Sequence, residues 1–326
     1  MKKVLVTGAN GFIGSNLVKR LIAEGYIVHS LVRKTSDLTF LQGQNTVLFY
    51  GDINDAASLK APLEGVDLVY HLAGLAADWG AYAKFEKVNL EGTQTVVQAA
   101  ERAGVKKLVY ISTVAFHGFG QTNMTEDMPP GKHLIPYAQT KYLAEKWVLD
   151  FGQKSKMAVT AVRPGNVYGE NDRTFMAKYI EALESGKFSQ IGKGKSKTCP
   201  VFVDNLVDIL YLVGHDDRAN GEAFLATDGL DITWQQFNTE LAQALGIPLP
   251  KTSMPFGFAL VVAKIYYGIH RLLGLKSEPF LTPYRIRNGG LDYHFSIEKL
   301  KRYFDYQPKI GLKEGLKRTV AWYRNR

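Results

Sequence analysis

The chain has 326 residues, 46% of them hydrophobic and 22% charged, an ordinary globular composition with room for about two domains and no sign of disorder. A single cysteine, Cys199, excludes a disulfide framework and any multi-cysteine metal site, and fits a reducing, cytoplasmic setting. The net charge of +9 sits wholly at one end: residues 251–326 carry 8 Lys and 7 Arg against 5 acids, while the first 250 residues sum to −1. Such a tail faces either solvent or an acidic surface such as lipid or a phosphate-bearing ligand; a nucleic-acid partner is not expected.

Val4-Leu5-Val6 opens the chain as a buried strand at 3–7 and stops at Thr7-Gly8, too soon for the apolar region of a signal peptide. Further β-rich runs are expected at 26–32, 46–50, 67–71, 107–112 and 158–163, with helices at 12–24, 81–103 and 136–154. Strands that are almost wholly apolar, such as Leu108-Val109-Tyr110-Ile111, belong in a parallel sheet covered by helices on both faces. The alternation predicts an α/β fold, a doubly wound parallel sheet of the Rossmann type. After Arg163 the rhythm loosens. A strand at 223–226 and a helix at 234–245 are expected in a smaller substrate domain. The division is residues 1–165 for dinucleotide and 166–326 for substrate, partly interleaved.

Between the first strand and the first helix lies Thr7-Gly8-Ala9-Asn10-Gly11-Phe12-Ile13-Gly14. One glycine makes the tight turn, the next lets backbone N–H groups approach a pyrophosphate, and the last lets helix and strand pack closely. The helix N-terminus adds open donors and partial positive charge. Read blandly it is an ordinary strand-to-helix turn, but its place after a buried strand favours a dinucleotide site. The second strand ends in Leu31-Val32-Arg33-Lys34, with no acid for a ribose hydroxyl. Arg33 and Lys34 can clamp a 2′-phosphate instead, which favours NADP over NAD; the plain alternative is two solvated cations.

Tyr137 and Lys141 are four residues apart on a predicted helix and so share a face. Pro136 suits the first helical position, which puts Tyr137 in the first turn. There the helix dipole and the Lys141 cation are expected to lower the phenol's pKa and make it a general acid or base. Ser112 and Thr113 end a strand at the sheet edge where ligands bind, and either hydroxyl can orient a substrate oxygen. The seven histidines show no metal-binding spacing, so no metal is expected.

With these pieces the chain resembles the extended short-chain dehydrogenase/reductase superfamily. The matching motifs are the glycine loop, Gly51-Asp52, His71-Leu72-Ala73-Gly74, Val88-Asn89-Leu90-Glu91-Gly92-Thr93, Ser112-Thr113, Tyr137 with Lys141, and Arg163-Pro164-Gly165-Asn166-Val167-Tyr168-Gly169. Within it the chain is similar to the 3β-hydroxysteroid dehydrogenase branch and, at its N-terminal motifs, to dihydroflavonol-reductase-like enzymes, through Asp78-Trp79-Gly80, Pro279-Phe280-Leu281-Thr282-Pro283 and Tyr306-Gln307-Pro308. The resemblance implies that Thr113, Tyr137 and Lys141 are catalytic. It implies that Gly8, Asn10, Gly11, Phe12, Ile13, Gly14, Ala73 and Gly74 line the dinucleotide. Asp52 and Ile53 would lie near adenine, Asn89 would support the sheet end, Lys141 would also hold the nicotinamide ribose, and Pro164, Asn166 and Val167 would flank the nicotinamide. Gly74 replaces a more usual alanine, and Thr113 stands where serine is commoner. A homodimer is also implied.

Residues 255–274 form the most apolar stretch. Phe258, Val261, Val262, Ile265, Ile269, Leu272 and Leu273 recur at helical spacing, with Lys264, Gly268 and Arg271 on the opposite stripe. That pattern suits a helix lying in a membrane interface, a lid on an apolar pocket, or a core helix. The function expected is NAD(P)-dependent interconversion of a secondary alcohol and a ketone on a sizeable apolar substrate, sterol-like or long-chain, with flavonoid-like or β-keto substrates if the tail motifs mislead. A nucleotide-sugar epimerase or dehydratase, using Lys193, Lys195 and Lys197 for diphosphate, is the alternative. A non-catalytic dinucleotide sensor is the second.

Overall fold

Seven parallel strands form the centre of the computed structural model, which describes residues 2–132, 134–275 and 277–326. They are β1 (Lys3–Thr7), β2 (Ile27–Val32), β3 (Val47–Tyr50), β4 (Leu68–His71), β5 (Lys107–Ile111), β6 (Ala158–Pro164) and β7 (Ala223–Ala226). Their order across the sheet is β7-β6-β5-β4-β1-β2-β3. The order reverses between β1 and β4, where Thr7 lies opposite His71 at the carboxyl ends. A crevice at such a switch point is where open α/β sheets bind ligands. The strand expected at 223–226 is present, and it pairs with β6 in the main sheet. The chain therefore returns to the first unit after leaving it.

Helices cover both faces, as the apolar strands require. α1 (Phe12–Ala23) and α5 (Val203–His215) bury Leu17, Leu21, Leu206 and Leu210 on one side. α2 (Gly92–Arg102) and α3 (Pro136–Gly152) bury Val96, Val97, Ala144 and Val148 on the other. The helix expected over 81–103 is not regular. A π-helical segment, Glu86–Glu91, separates Tyr82–Phe85 from α2. It coincides with Asn89, whose amide is drawn inward to the backbone of Leu75.

In the second half, α4 (Met176–Glu184), α6 (Trp234–Leu245) and α9 (Leu312–Arg324) share a core around Tyr168, Phe202, Phe237 and Leu316. α7 (Phe256–Leu272) and α8 (Pro283–Gly290) pack together through Ala259, Ala263 and Ile286. This corrects the core-helix reading of 255–274. The small alanines face inward, and Phe258, Val261, Ile265, Ile269, Leu272 and Leu273 point out, 47% to 86% exposed.

One buried ion pair fixes α3 to the sheet. Arg163 on β6 donates from Nε and Nη2 to Glu145 on α3 at 3.0 and 2.6 Å, and from Nη1 to the carbonyl of Glu126 at 2.7 Å. Removing one partner of such a pair leaves the other charged and dry. Glu145→Ala is expected to lower the unfolding free energy by about 3–5 kcal/mol, read as a fall in the urea midpoint. A change below about 1 kcal/mol, the scale of an exposed pair, would show that the pair does not hold the helix.

Candidate active site

The turn from β1 into α1 is made by residues that no larger side chain could replace. Gly8 has φ +68°, and a Cβ there would lie 2.8 Å from the backbone nitrogen of Ala73. A Cβ on Gly14 would lie 2.1 Å from the carbonyl oxygen of Gly8. Such contacts bring three backbone segments within touching distance at the switch point. α1 is capped by Gly11 with no side-chain hydrogen bond and has no acid in its first turn. The N–H groups at Phe12, Ile13 and Gly14 are thus not claimed by a side chain, and the end of the helix carries partial positive charge. This cradle fits the pyrophosphate of a dinucleotide.

The other expected cofactor residues fall around the same crevice. Ala73 donates its N–H to the Thr7 hydroxyl at 3.1 Å, and a Cβ on Gly74 would meet Asn89 Oδ1 at 3.2 Å. Asn10 reaches the carbonyl of Asp37 at 3.2 Å. Arg33 and Lys34 are exposed just past β2. Asp37, the next acid along the chain, is already engaged: its carboxylate binds Thr39 and Arg173 and is lowered to about 2, first by the Thr39 hydroxyl. Asp52 follows β3 and accepts from the N–H of Asn54 at 2.8 Å, while Ile53 is buried. Asn89 is set apart from the rest. Its side chain is buried and spent on Leu75 and on the Thr140 hydroxyl.

Thr113, Tyr137, Asn166 and Val167 line one cavity of about 200 Å³ beyond the ends of β5 and β6. Pro164 is the last residue of β6 and is buried, and Gly165 forms the wall after it. Pro136 opens α3, which places Tyr137 in its first turn, half-buried. Of the two candidate hydroxyls, Thr113 faces the cavity; that of Ser112 is enclosed without a partner. Lys141 lies one turn beyond Tyr137 and is buried. Its Nζ donates to the carbonyl of Ile111 at 2.5 Å and sits 4.0 Å above the Tyr110 ring.

The electrostatics correct one expectation. Burial raises the Tyr137 phenol above its ordinary pKa, and the Thr113 hydroxyl beside it acts in the other direction. Lys141 does not supply the expected depression, because its ammonium is turned to Ile111 and Tyr110. Burial lowers that ammonium to about 7, opposed by Glu145.

Three functional candidates fall outside the sequence motifs: Tyr284, Arg287 and Asn288, all on α8. Tyr284 and Asn288 line the cavity of Thr113 and Tyr137, and Asn166 Nδ2 donates to Asn288 Oδ1 at 3.4 Å. A signal for this helix was present, since Thr282 caps it and Pro283 is its first residue. Two motifs distant in sequence also meet there: Asp78 accepts from the hydroxyl of Thr282, and from Arg285 at 3.0 Å. Among the described residues no cluster of His, Cys, Asp and Glu could hold a metal.

Comparison with known proteins agrees with this geometry. The model of the NAD dependent epimerase/dehydratase family matches residues 4–226. Sterol-4-alpha-carboxylate 3-dehydrogenase, decarboxylating, of Mus musculus is 31% identical, over 99% of this chain and 91% of its own. The 2-alkyl-3-oxoalkanoate reductase of Stenotrophomonas maltophilia is 29% identical over 98% of each. Among solved structures, that of gox2253 superposes with a TM-score of 0.84 at 27% identity, covering 100% of this chain and 98% of that one. With a matching family model over most of its length, a glycine cradle at the switch point and Thr113 facing Tyr137, this chain belongs to the NAD dependent epimerase/dehydratase family as an NAD(P)-dependent oxidoreductase of the extended short-chain type.

Proposed function

We propose that the protein interconverts a secondary alcohol and a ketone on a sizeable apolar substrate, sterol-like or long-chain, using NADP(H). The observation that carries this is the placing of Thr113 and Tyr137 on one cavity, between the Gly165–Val167 wall and α8. The bound dinucleotide supplies or accepts hydride at its nicotinamide. Tyr137 gives a proton to the carbonyl oxygen during reduction and takes it back during oxidation. Thr113 hydrogen-bonds that oxygen and orients it. Lys141 places a buried amine, lowered to about 7 by burial, one helical turn away. The two relatives named above act, by their names, on a sterol carboxylate and an oxoalkanoate, which supports an apolar substrate. The epimerase alternative loses part of its basis, because Lys197 of the basic loop is paired with Asp231 at 2.5 Å. Arg33 and Lys34, exposed and adjacent at the end of β2, support NADP.

The outward face of α7 supports a peripheral contact with an acidic bilayer. Phe258, Val261, Ile265, Ile269 and Leu272 form the stripe opposite the buried alanines, and Lys264 and Arg271 flank it. The helix is held from behind by Trp79, whose ring lies 4.8 Å from that of Tyr267. No described helix is long and apolar enough to cross a membrane. A half-exposed apolar stripe with cations at its edge matches the headgroup boundary of an anionic leaflet. The homodimer implied by the family would then use another face.

Tyr137→Phe is expected to lower kcat roughly 10²–10⁴-fold with NADPH affinity unchanged; full turnover by this variant would remove the tyrosine from the chemistry. Arg33→Ala is expected to weaken NADPH binding roughly tenfold or more, as loss of a charge-assisted contact does, and to leave NADH alone. Nicotinamide fluorescence reads both, and equal losses would overturn the phosphate clamp. The protein is expected to float with vesicles containing phosphatidylserine and not with pure phosphatidylcholine. The exposed double change Ile265→Asp with Ile269→Asp should abolish flotation. No flotation by the parent, or a dimer that the same change dissolves, would assign this face to something other than lipid.

A further inference from the structure

Two motifs that neither the glycine cradle nor the proton transfer uses meet at one place. Asp78-Trp79-Gly80 follows β4, and Thr282-Pro283 opens α8, with 204 residues between Asp78 and Thr282 along the chain. Asp78 is buried, and both of its carboxylate oxygens are spent on that helix. One accepts from the Thr282 hydroxyl, the other from Arg285 Nη2 at 3.0 Å. Thr282 Oγ1 in turn accepts from the N–H of Arg285 at 3.2 Å and so caps α8. Arg285 Nη1 donates to the carbonyl of Phe280 at 3.1 Å, which folds the approach to the helix onto the same group. Next to Asp78, the Trp79 ring meets Tyr267 and His270 of α7 edge-on. A carboxylate withdrawn from water needs its donors in place, so Asp78 and the first turn of α8 move as one.

α8 is the substrate wall. Tyr284 and Asn288 face the cavity of Thr113 and Tyr137, and Tyr284 and Arg287 line an inner cavity of about 230 Å³ beside it. The last turn of α8 is tied to the second unit. The carbonyl of Asn288 accepts from Trp234 Nε1 at 2.7 Å, and that of Gly289 from the Ser196 hydroxyl at 2.9 Å. The first turn is tied by Asp78 to the first unit. Asp78 comes three residues after Leu75, whose N–H and carbonyl are held by the Asn89 amide at 2.7 and 3.1 Å. Leu75 directly follows Ala73 and Gly74, at the dinucleotide crevice, where Ala73 donates to Thr7. Residues 73–79 contain no helix or strand, so what they are tied to sets their shape. One end lies in the crevice and the other on the substrate wall.

We propose that Asp78 is a positioning residue that makes the substrate wall depend on the dinucleotide. NADP(H) lying along Ala73 and Gly74 fixes the segment 73–79, and Asp78 then holds the first turn of α8 so that Tyr284 is set over the cavity. This rests on the reading of the crevice and cavity as the sites of NADP(H) and of an alcohol or ketone. The ordering of 73–79 is completed by the cofactor, so the substrate meets a wall already in place.

Amide hydrogen exchange of the full chain, with and without saturating NADPH, tests this at two peptides, the glycine cradle (8–14) and α8 (282–290). In the parent, NADPH is expected to slow exchange at both, and at α8 by roughly fivefold or more, the lower end of coupling between sites. Asp78→Asn is expected to keep the slowing at the cradle and lose it at α8. Thr282→Val removes one of the same bonds from the side of the helix and is expected to reduce the slowing at α8, so the outcome does not hang on one variant folding. Thr282→Ser, which retains the hydroxyl, is expected to behave as the parent. An Asp78 that only stabilised α8 would give faster exchange there in Asp78→Asn with the same NADPH-dependent ratio as the parent. That result, or an α8 that NADPH does not slow in the parent, would overturn the inference and leave the alcohol–ketone reading standing. A cradle slowed by neither NADPH nor NADH would overturn both.

Discussion

The site depends on how closely three backbone segments approach at the switch point. A Cβ on Gly14 would strike the carbonyl of Gly8, and one on Gly8 would strike the backbone of Ala73. A methyl group at either glycine would drive β1, α1 and the segment after β4 apart. Buried hydrogen bonds carry this approach onward. Thr7 Oγ1 lies 2.7 Å from His71 Nδ1, and His71 Nε2 lies 3.0 Å from Thr93 Oγ1. Thr93 donates its own proton to the carbonyl of Asn89 at 2.6 Å, so it must accept from His71, and Thr7 must donate to the other ring nitrogen. That assigns one neutral tautomer to His71. Burial, and then Lys141, lower its pKa to about 3, which keeps it neutral. Asn89 in turn donates to Thr140 on α3 at 3.2 Å. The glycine cradle and the helix bearing Tyr137 are thus one connected body.

The same helix bears the electrostatic load of the site. Lys141, Glu145 and Arg163 are all buried, and each makes another tolerable. Glu145 supports the charged form of Lys141 while accepting a forked pair of bonds from Arg163. Arg163 reaches Glu126, whose carboxylate accepts from the N–H of Leu225 on the edge strand at 2.9 Å. A cation one turn from the phenol therefore has a counter-charge beneath it rather than beside it. Burial raises the phenol and lowers the ammonium, and Glu145 opposes only the second of these shifts.

What was legible in the sequence was local. The glycine loop, Tyr137 with Lys141, and the hydroxyl pair after β5 each lie within a few residues, and each has a spacing that chemistry requires. Six of the seven main strands were legible because burial leaves them largely apolar; β3, at the sheet edge, is apolar although largely exposed. The substrate wall was not. Tyr284 and Asn288 reach the cavity of Thr113 from about half the chain away, and only packing brings them there. The two-residue strands Gln190–Ile191 and Ser253–Met254 are too short to show a period. In α7 the period was visible, but not which stripe faces inward. That was decided by packing: Ile286 meets Ala259 and Ala263, and Trp79 meets Tyr267 and His270.

α7 and α8 are packed against each other, and the pair has two unlike faces. The outer face of α7 is apolar with cations at its edge; the far side of α8 presents Tyr284 and Arg287 to the inner cavity. Between the two faces lie Ala259, Ala263 and Ile286. The small alanines let the helices approach closely, so the wall that α8 gives the cavity of Thr113 and Tyr137 rests on the packing of α7 behind it.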